Sequence, residues 1–478
     1  MKVVLADTHG PVLGRAQTSA NLSLLYLASY LQQQIPGVQV TYLPQKRKAS
    51  EHFEIVERLR PDVYGISFTS FGAPTTYRLI RALKKRFPWL RVVLGGHHAT
   101  PCPREALEKS GAEIAVIGEG ELTFAEVVKR IADFPRGFAE IDGIAFFDEG
   151  RYVKTTPREL VPDIDSLPFP NRDLIETGDY TGLAYSRARP NTEMCVVRGC
   201  PLRCVFCPNP IFRVDGAPSY RARSPKSVAL EAQDLYDRGY REIYMHSDEL
   251  NVRLDWSIEV CRELAALGKP DLFFQTNMRV QPLSAELARA LRDANFWMVR
   301  FGIESANDRV LRGIKKASSL EAIERACGLV SEAGIKVFGF FMMFQIWEED
   351  GELQFETADE VRRSIEFARR LFKEGKMHYS TWGFTLPVQG AELHDIALRH
   401  GIVTPDYYPS DTWNIFEHLP HVSKREFNQL YKRARRLQAQ MALKGGAFEL
   451  RNWMAIARKA RAMLFGKPDN QTEFLPPD

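Results

Sequence analysis

The residues best equipped for chemistry are three cysteines in the stretch "CVVRGCPLRCVFCPNP": Cys200, Cys204 and Cys207, spaced C-x3-C-x2-C. Soft thiolates at such spacing on one loop can wrap one face of an iron–sulfur cluster. Three sulfurs are one short of the four that complete a [4Fe–4S] cube, which leaves one iron for an exogenous ligand. An open position of that kind marks catalytic rather than structural metal sites. A structural zinc would want a fourth Cys or His nearby, and Cys195, inside the preceding apolar run, is expected to point into the wall of the fold. A second group is Asp7-Thr8-His9, at the end of the first apolar run, where a carboxylate two residues away can fix an imidazole's tautomer for metal binding. His97 and His98 form another candidate pair. Asp248 and Glu249 in "YMHSDELNV" and Glu304 in "VRFGIES" end apolar runs; a carboxylate in the place of Glu304 can accept hydrogen bonds from two hydroxyls. Arg279 and Arg300 can hold carboxylates in the same mouth or serve as structural ion pairs.

These residues need elements to position them. Over residues 1–142, short apolar runs (3–6, 38–43, 63–68, 91–95 and 114–118) alternate with helical patterns (22–33, 53–59, 75–87 and 122–131). That alternation predicts a parallel sheet wrapped by helices, a Rossmann-like domain. Small residues follow several strands: Ser67, Thr69 and Ser70, then Gly95 and Gly96, then Gly118 and Gly120. Strand carboxyl ends are where such sheets bind ligands. Residues 143–190, with "VPDIDSLPFPNRDL", lack a helical period and are expected to be an extended linker. Residues 191–387 then repeat strand and helix six times, with strands at 194–197, 242–246, 272–276, 298–303, 336–344 and 378–386. Six repeats predict a partial (β/α)6 barrel with its active site at the strands' carboxyl ends. Residues 388–478 read as a mostly helical region, with "YKRARRLQAQMAL" and "WMAIARKARAML" as amphipathic segments. Tyr407, Tyr408, Trp413 and Trp453 in that region are expected in core packing.

Composition bounds the class. With 478 residues, 45% hydrophobic and 26% charged, the chain has ample core for two or three domains. A net charge of +4 gives no reason to expect nucleic acid, and the locally basic stretch from Lys424 to Lys467 reads as a solvated helix face. No run of 18 apolar residues and no signal-peptide pattern occurs, so no membrane span is expected. Seven cysteines, odd in number and clustered, argue for thiols in a reducing cytoplasm rather than a disulfide framework.

The C-x3-C-x-aromatic-C motif, with Phe206 before the last cysteine, resembles that of the radical S-adenosylmethionine (SAM) superfamily, over residues 194–387. The resemblance implies that Cys200, Cys204 and Cys207 hold a [4Fe–4S] cluster whose open iron binds SAM. An external one-electron donor such as flavodoxin or ferredoxin then drives cleavage to a 5′-deoxyadenosyl radical. Glu304 matches the position that hydrogen-bonds the SAM ribose, and Asp248 and Glu249 match a common acidic pair. The bulky "FFMMFQIWEED" stands where related proteins often carry Gly-x-Pro; part of it is expected in the barrel core and part around an apolar or aromatic substrate.

The first domain, through "SANLSLLYLASYL", "GISFTS", "VVLGGHHAT", "VIGEGELTF" and "IDSLPFPNRDL", resembles the cobalamin-binding subgroup of that superfamily. Ser67, Thr69, Gly95, Gly96, Glu119 and Gly120 are then the expected cobalamin contacts, the small ones because they admit a flat corrin close to the backbone. Many cobalamin domains carry Asp-x-His-x-x-Gly with the His as lower cobalt ligand; here His9 is in place but position 12 is valine, so His9 stands as either a ligand or an ordinary turn histidine. Methylthiotransferases carry a second cysteine trio in their first domain, where this chain has only Cys102. The implied function is cobalamin-dependent methylation of an unactivated carbon in a small molecule. The alternatives are oxidative cyclisation or ring rearrangement with the same cofactors, a radical enzyme with a vestigial first domain, and a silent iron–sulfur or zinc scaffold.

Overall fold

A computed structural model describes residues 1–10, 17–45, 47–176, 180, 182–183, 185–218, 220–409 and 421–445. Trp413, Trp453 and the segment "WMAIARKARAML" lie outside the described residues.

The first sheet contains β1 (Lys2–Asp7), β2 (Gln39–Leu43), β3 (Val63–Ser67), β4 (Val92–Gly95) and β5 (Ile114–Val116), all parallel, in the order β2-β1-β3-β4-β5. Helices cover both faces, each over its own apolar cluster, one containing Val4, Ile66 and Leu94 and the other Leu5, Val93 and Ile114. Alternate residues along each strand thus serve opposite cores, which is why these runs are apolar throughout. The order reverses between β1 and β3, the switch point at which such sheets open a ligand crevice at their carboxyl ends. Two further strands, β6 (Ile144–Asp148) and β7 (Arg151–Lys154), extend this sheet as an antiparallel hairpin. They lie in the stretch expected to be linker. Phe146 there is fully buried against Phe134 and Phe138, so the hairpin closes the core of the first sheet.

The second sheet contains β8 (Asn191–Arg198), the short antiparallel β9 (Arg221–Ala222), β10 (Glu242–Ser247), β11 (Phe273–Met278), β12 (Phe296–Glu304), β13 (Lys336–Met343) and β16 (Tyr379–Phe384), in the order β16-β13-β12-β11-β10-β8-β9. Each parallel strand sits beside its predecessor, so right-handed crossovers place every helix on one face and the sheet curls into an open barrel. Four of the six described crossover helices, Pro225–Asp237, Ala285–Asp293, Leu320–Glu332 and Ala358–Lys373, start on a hydroxyl cap: Ser224, Ser284, Ser319 and Thr357. Each cap accepts a first-turn N–H that would otherwise lack a partner. A hairpin of β14 (Ile346–Glu349) and β15 (Glu352–Phe355) follows β13.

The bulky run at β13 divides between two faces. Phe341, Met343, Phe344 and Trp347 are buried toward the helices, with Phe341 stacked on Trp382 at 4.4 Å and Trp347 packed flat on Gly313, where a Cβ would come within 2.2 Å of the indole. Phe340 and Met342 alternate onto the inner face and remain half-buried. The helix Lys424–Lys444 lies along β16 and buries Phe427, Leu430, Ala434, Leu437 and Met441, leaving its basic residues outward. Among the described residues no helix is long and apolar enough to cross a membrane.

Candidate functional site

The carboxyl ends of both sheets meet across one cavity of about 490 Å³. From the first sheet it is lined by Asp7, His9, Ser67, Gly95, Gly96, His97, Gly118, Glu119 and Gly120; from the second by Cys195, Arg198, Cys200, Asn209, His246 and Asp248. Residues nearly 200 positions apart thus share one wall, because both parallel sheets present the same end to it.

On the first-sheet side, Asp7 accepts from His9 twice, at Nδ1 (2.6 Å) and at the backbone N (3.1 Å). With Nδ1 engaged, Nε2 is the nitrogen left for a ligand. Thr69 does not line the cavity: its hydroxyl donates to the His9 carbonyl (2.6 Å) and pins the turn after β1. Among the described residues Gly95 has no atom within 4 Å of where a Cβ would lie, whereas Gly96 sits at φ +92° with its Cβ position 2.7 Å from Ser67 Oγ. The two neighbouring histidines part company. His97 faces the cavity, edge-on to Phe212 at 4.9 Å, and burial, with His9 and His246 nearby, lowers its pKa to about 4. His98 turns away and meets the Ser70 hydroxyl through Nδ1 (2.9 Å).

On the barrel side, the cysteine loop is held from several directions. Asp248 accepts from the Gly199 N–H (2.7 Å) and from Asn209 Nδ2 (2.7 Å), while Arg213 donates to the carbonyls of Cys200 (2.6 Å) and Leu202. The Cys207 N–H donates to the Cys204 carbonyl (3.0 Å), folding the loop so that the thiols feel one another's charge. All three are unpaired, and burial pushes Cys200 up to about 12 and Cys207 to about 11. Buried thiols of this kind ionise when a metal ion supplies the compensating charge.

Cys195 corrects the expectation of a wall position. Met194 and Val196 take the helix-facing places on β8, so Cys195 faces inward and lines the cavity. Glu304, at the end of β12, is held at φ +67° and pairs with Lys316 Nζ (3.2 Å). Lys316 is half-buried, 6.0 Å over the Phe206 ring, and Glu304, then Cys204 and Glu249, supply the negative charge that raises its pKa. Burial raises Glu249 to about 7, opposed by Lys316 and Arg279. Arg279 donates to the Ala317 carbonyl (3.1 Å) on the same loop. Arg300 is not at the mouth: it donates to Gln275 deeper in the barrel and lies over the Tyr244 and Phe338 rings. Tyr407 and Tyr408 are buried, as expected for core residues.

Sequence reading overlooked Lys316, since nothing in "GIKKAS" says which lysine turns inward. It also overlooked the joint between the sheets. Glu119 pairs with both guanidinium nitrogens of Arg221 (2.6 and 3.0 Å) and with Arg198 (3.5 Å), and Arg198 also donates to Glu121 (2.6 Å). The Glu119 carboxylate is thereby engaged in holding β5 to β8 and β9.

Residues 194–355 match the family model of the radical SAM superfamily, and residues 11–128 match that of the B12 binding domain. The chain is similar to a protein described as uncharacterized methyltransferase PH0819 of Pyrococcus horikoshii, at 26% identity over 90% of this chain and 88% of that one. It is similar also to the anaerobic magnesium-protoporphyrin IX monomethyl ester cyclase of Cereibacter sphaeroides, at 29% identity over 75% of this chain but only 58% of the cyclase. Its fold is shared with the radical SAM methyltransferase TsrM of Kitasatospora setae, solved with cobalamin and a [4Fe–4S] cluster, at TM-score 0.68 and 17% identity over 91% of this chain and 90% of that one. The donor set is compatible with these groups: three unpaired thiols on one loop suit a cluster with an open iron, and the clear face at Gly95 beside His9 admits a flat ring against the backbone.

Proposed function

We propose that this radical SAM superfamily member, with its B12-binding domain ahead of the barrel, methylates an unactivated carbon of a small molecule. The observation that carries the reading is the single cavity joining the Gly95–His97 wall to the Cys200 loop. A corrin lying on the first sheet and a cluster held by Cys200, Cys204 and Cys207 would then face the same space. When bound, the cluster with SAM supplies radical removal of a substrate hydrogen, and the corrin supplies the methyl group.

The chain's own residues do the positioning. Asp248 and Arg213 fix the cysteine loop before any cofactor arrives, which lowers the reorganisation needed for binding. Lys316 balances the buried charge of Glu304 and leaves its second oxygen for a ribose hydroxyl. Ser67, Gly95, Gly96 and Gly120 keep the corrin wall free of side-chain bulk, and Asp7 sets the tautomer of His9. Phe340 and Met342 offer an apolar inner surface to the substrate. An external one-electron donor, flavodoxin or ferredoxin in type, would reduce the cluster.

The test is anaerobic EPR of the reconstituted chain loaded with cob(II)alamin, followed by mass spectrometry of candidate substrates incubated with SAM and reductant. A bound cobalt signal and a product heavier by one methylene unit are expected. No bound cobalt signal overturns the cobalamin assignment, and a product lighter by two hydrogens replaces methylation by oxidative cyclisation, a chemistry to which the similar cyclase lends weight. Triplet splitting of the cobalt lines that vanishes in His9→Ala would make His9 the lower ligand; unsplit lines leave it a turn residue.

A further inference from the structure

Outside the cavity, three potential metal ligands converge at the joint between the first sheet and the C-terminal region. His98, Cys102 and Glu105 follow β4 at intervals of four and three residues. The Cys102 N–H donates to the His98 carbonyl (3.1 Å), and the helix Pro103–Ser110 continues the turn, so all three side chains share one face. One ligand atom from each, an imidazole nitrogen, a sulfur and a carboxylate oxygen, lies within 4.8 Å of the others.

The surroundings prepare these atoms for a cation. His98 is fully buried, and its Nε2 has no hydrogen-bond partner among the described residues. That nitrogen points to Glu105 Oε2 at 3.6 Å, too long for a hydrogen bond. A buried imidazole nitrogen and a half-buried carboxylate oxygen that face each other without a hydrogen bond leave a place that a cation would fill. The other ends of both ligands are already oriented. Ser70 holds His98 Nδ1 (2.9 Å), and the Tyr77 (3.2 Å) and Tyr408 hydroxyls donate to Glu105 Oε1, with Lys109 Nζ 3.6 Å from the same oxygen. Hydrogen bonds on the far atoms of ligands are what orient metal sites and fix their tautomers. Lys109 therefore sits on the oxygen turned away from His98. The buried Nε2 of His394 also lacks a partner, and its ring is near enough to interact electrostatically with His98 and Glu105.

We propose that His98, Cys102 and Glu105 bind one divalent zinc-class ion, with water as the fourth ligand. A thiolate, an imidazole and a carboxylate together favour zinc over the oxygen-seeking magnesium and calcium. Zinc distances of about 2.0–2.3 Å put tetrahedral ligand atoms about 3.5 Å apart, so the three side chains close on the ion through a shift of about 1 Å. Binding releases the Cys102 thiol proton to solvent, and no oxidation state changes. The ion would tie the turn that carries His97 to the helix beneath Tyr408, bracing one wall of the cofactor cavity. The site is separate from the three-cysteine loop, and its existence does not depend on the function proposed above.

The test uses the full chain with its iron–sulfur cluster reconstituted, incubated anaerobically with zinc chloride and desalted. Zinc and iron are measured on the same sample, and the zinc shell is read by zinc-edge X-ray absorption, to which iron is silent. Expected are one zinc per chain, one sulfur beside nitrogen and oxygen neighbours, unchanged iron, and affinity lowered ~10–100-fold in Cys102→Ser and in the isosteric Glu105→Gln. Cys327→Ser, a buried thiol elsewhere, should leave zinc unchanged. The proposal is overturned if the wild-type chain retains no zinc, if both variants retain it as tightly, or if zinc enters only as iron leaves. Because iron is read on the same sample, loss of zinc binding is distinguishable from failure of the cluster assignment.

Discussion

At the scale of single residues, the site is governed by which charges are balanced and which are buried alone. Glu304 has Lys316, whereas Glu356, fully buried beside β15, accepts from Ser305 (2.7 Å) and from the Gln345 N–H (3.3 Å) but has no cation among its hydrogen-bond partners. Burial raises its pKa from 4.5 to about 7. The folded chain therefore holds this proton more tightly than the unfolded chain. Its stabilising effect is complete below about pH 4.5 and is lost as pH rises through about 7. Glu356→Gln keeps the shape without the charge, so the variant should be more stable than wild type at pH 8, by up to ~3 kcal/mol, and match it near pH 4. Thermal scans at the two pH values check this; an equal difference at both would show that Glu356 does not titrate in that window.

At the scale of elements, the ends of strands carry most of the function, and two adjacent glycines there do different work. Gly96 must adopt φ +92°, and an added Cβ would meet Ser67 Oγ at 2.7 Å and the Phe68 carbonyl at 2.9 Å. Gly96→Ala should destabilise the chain by ~1–3 kcal/mol, read by denaturant unfolding. Gly95 has open space, so Gly95→Val should leave stability nearly unchanged while weakening cobalamin binding at least tenfold, read by equilibrium dialysis with iron content as control. Equal effects of the two on stability would sink the distinction. The strands themselves were legible as apolar runs between turns, and the five parallel strands of the first sheet and the six parallel strands of the barrel stand where the pattern puts them. The hairpin at 144–154 was not, because a two-strand addition at a sheet edge has no helix to announce it and its charged outer residues mimic a linker.

At the scale of the whole molecule, the decisive feature is a buried ion cluster between the sheets. Arg221 is bidentate to Glu119 and also donates to the Val161 carbonyl (2.7 Å), so it ties the loop after β5, the connecting segment and β9 together. Removing one partner from such a cluster leaves the other buried and unpaired, at a cost of ~3–5 kcal/mol. Arg221→Leu should lower stability by about the smaller figure, since Arg198 remains beside Glu119 at 3.5 Å, and should speed proteolysis of the connecting segment at 155–176. Unchanged cleavage and unchanged unfolding would show that the sheets are joined elsewhere.

Sequence alone determined the order of elements, the cysteine loop and the carboxylates at strand ends, because each is set by local pattern: apolar period, turn chemistry and ligand spacing. Tertiary structure alone decided which of those groups act together. Cys195 turns inward because of the parity of β8, Thr69 serves a backbone turn, Glu119 is claimed by arginines about a hundred residues away, and His97 and His98 face opposite ways from adjacent positions. None of these is carried by spacing along the chain. They follow from how two curved sheets pack end to end, and only that packing sets which side chains are close enough, and dry enough, to interact.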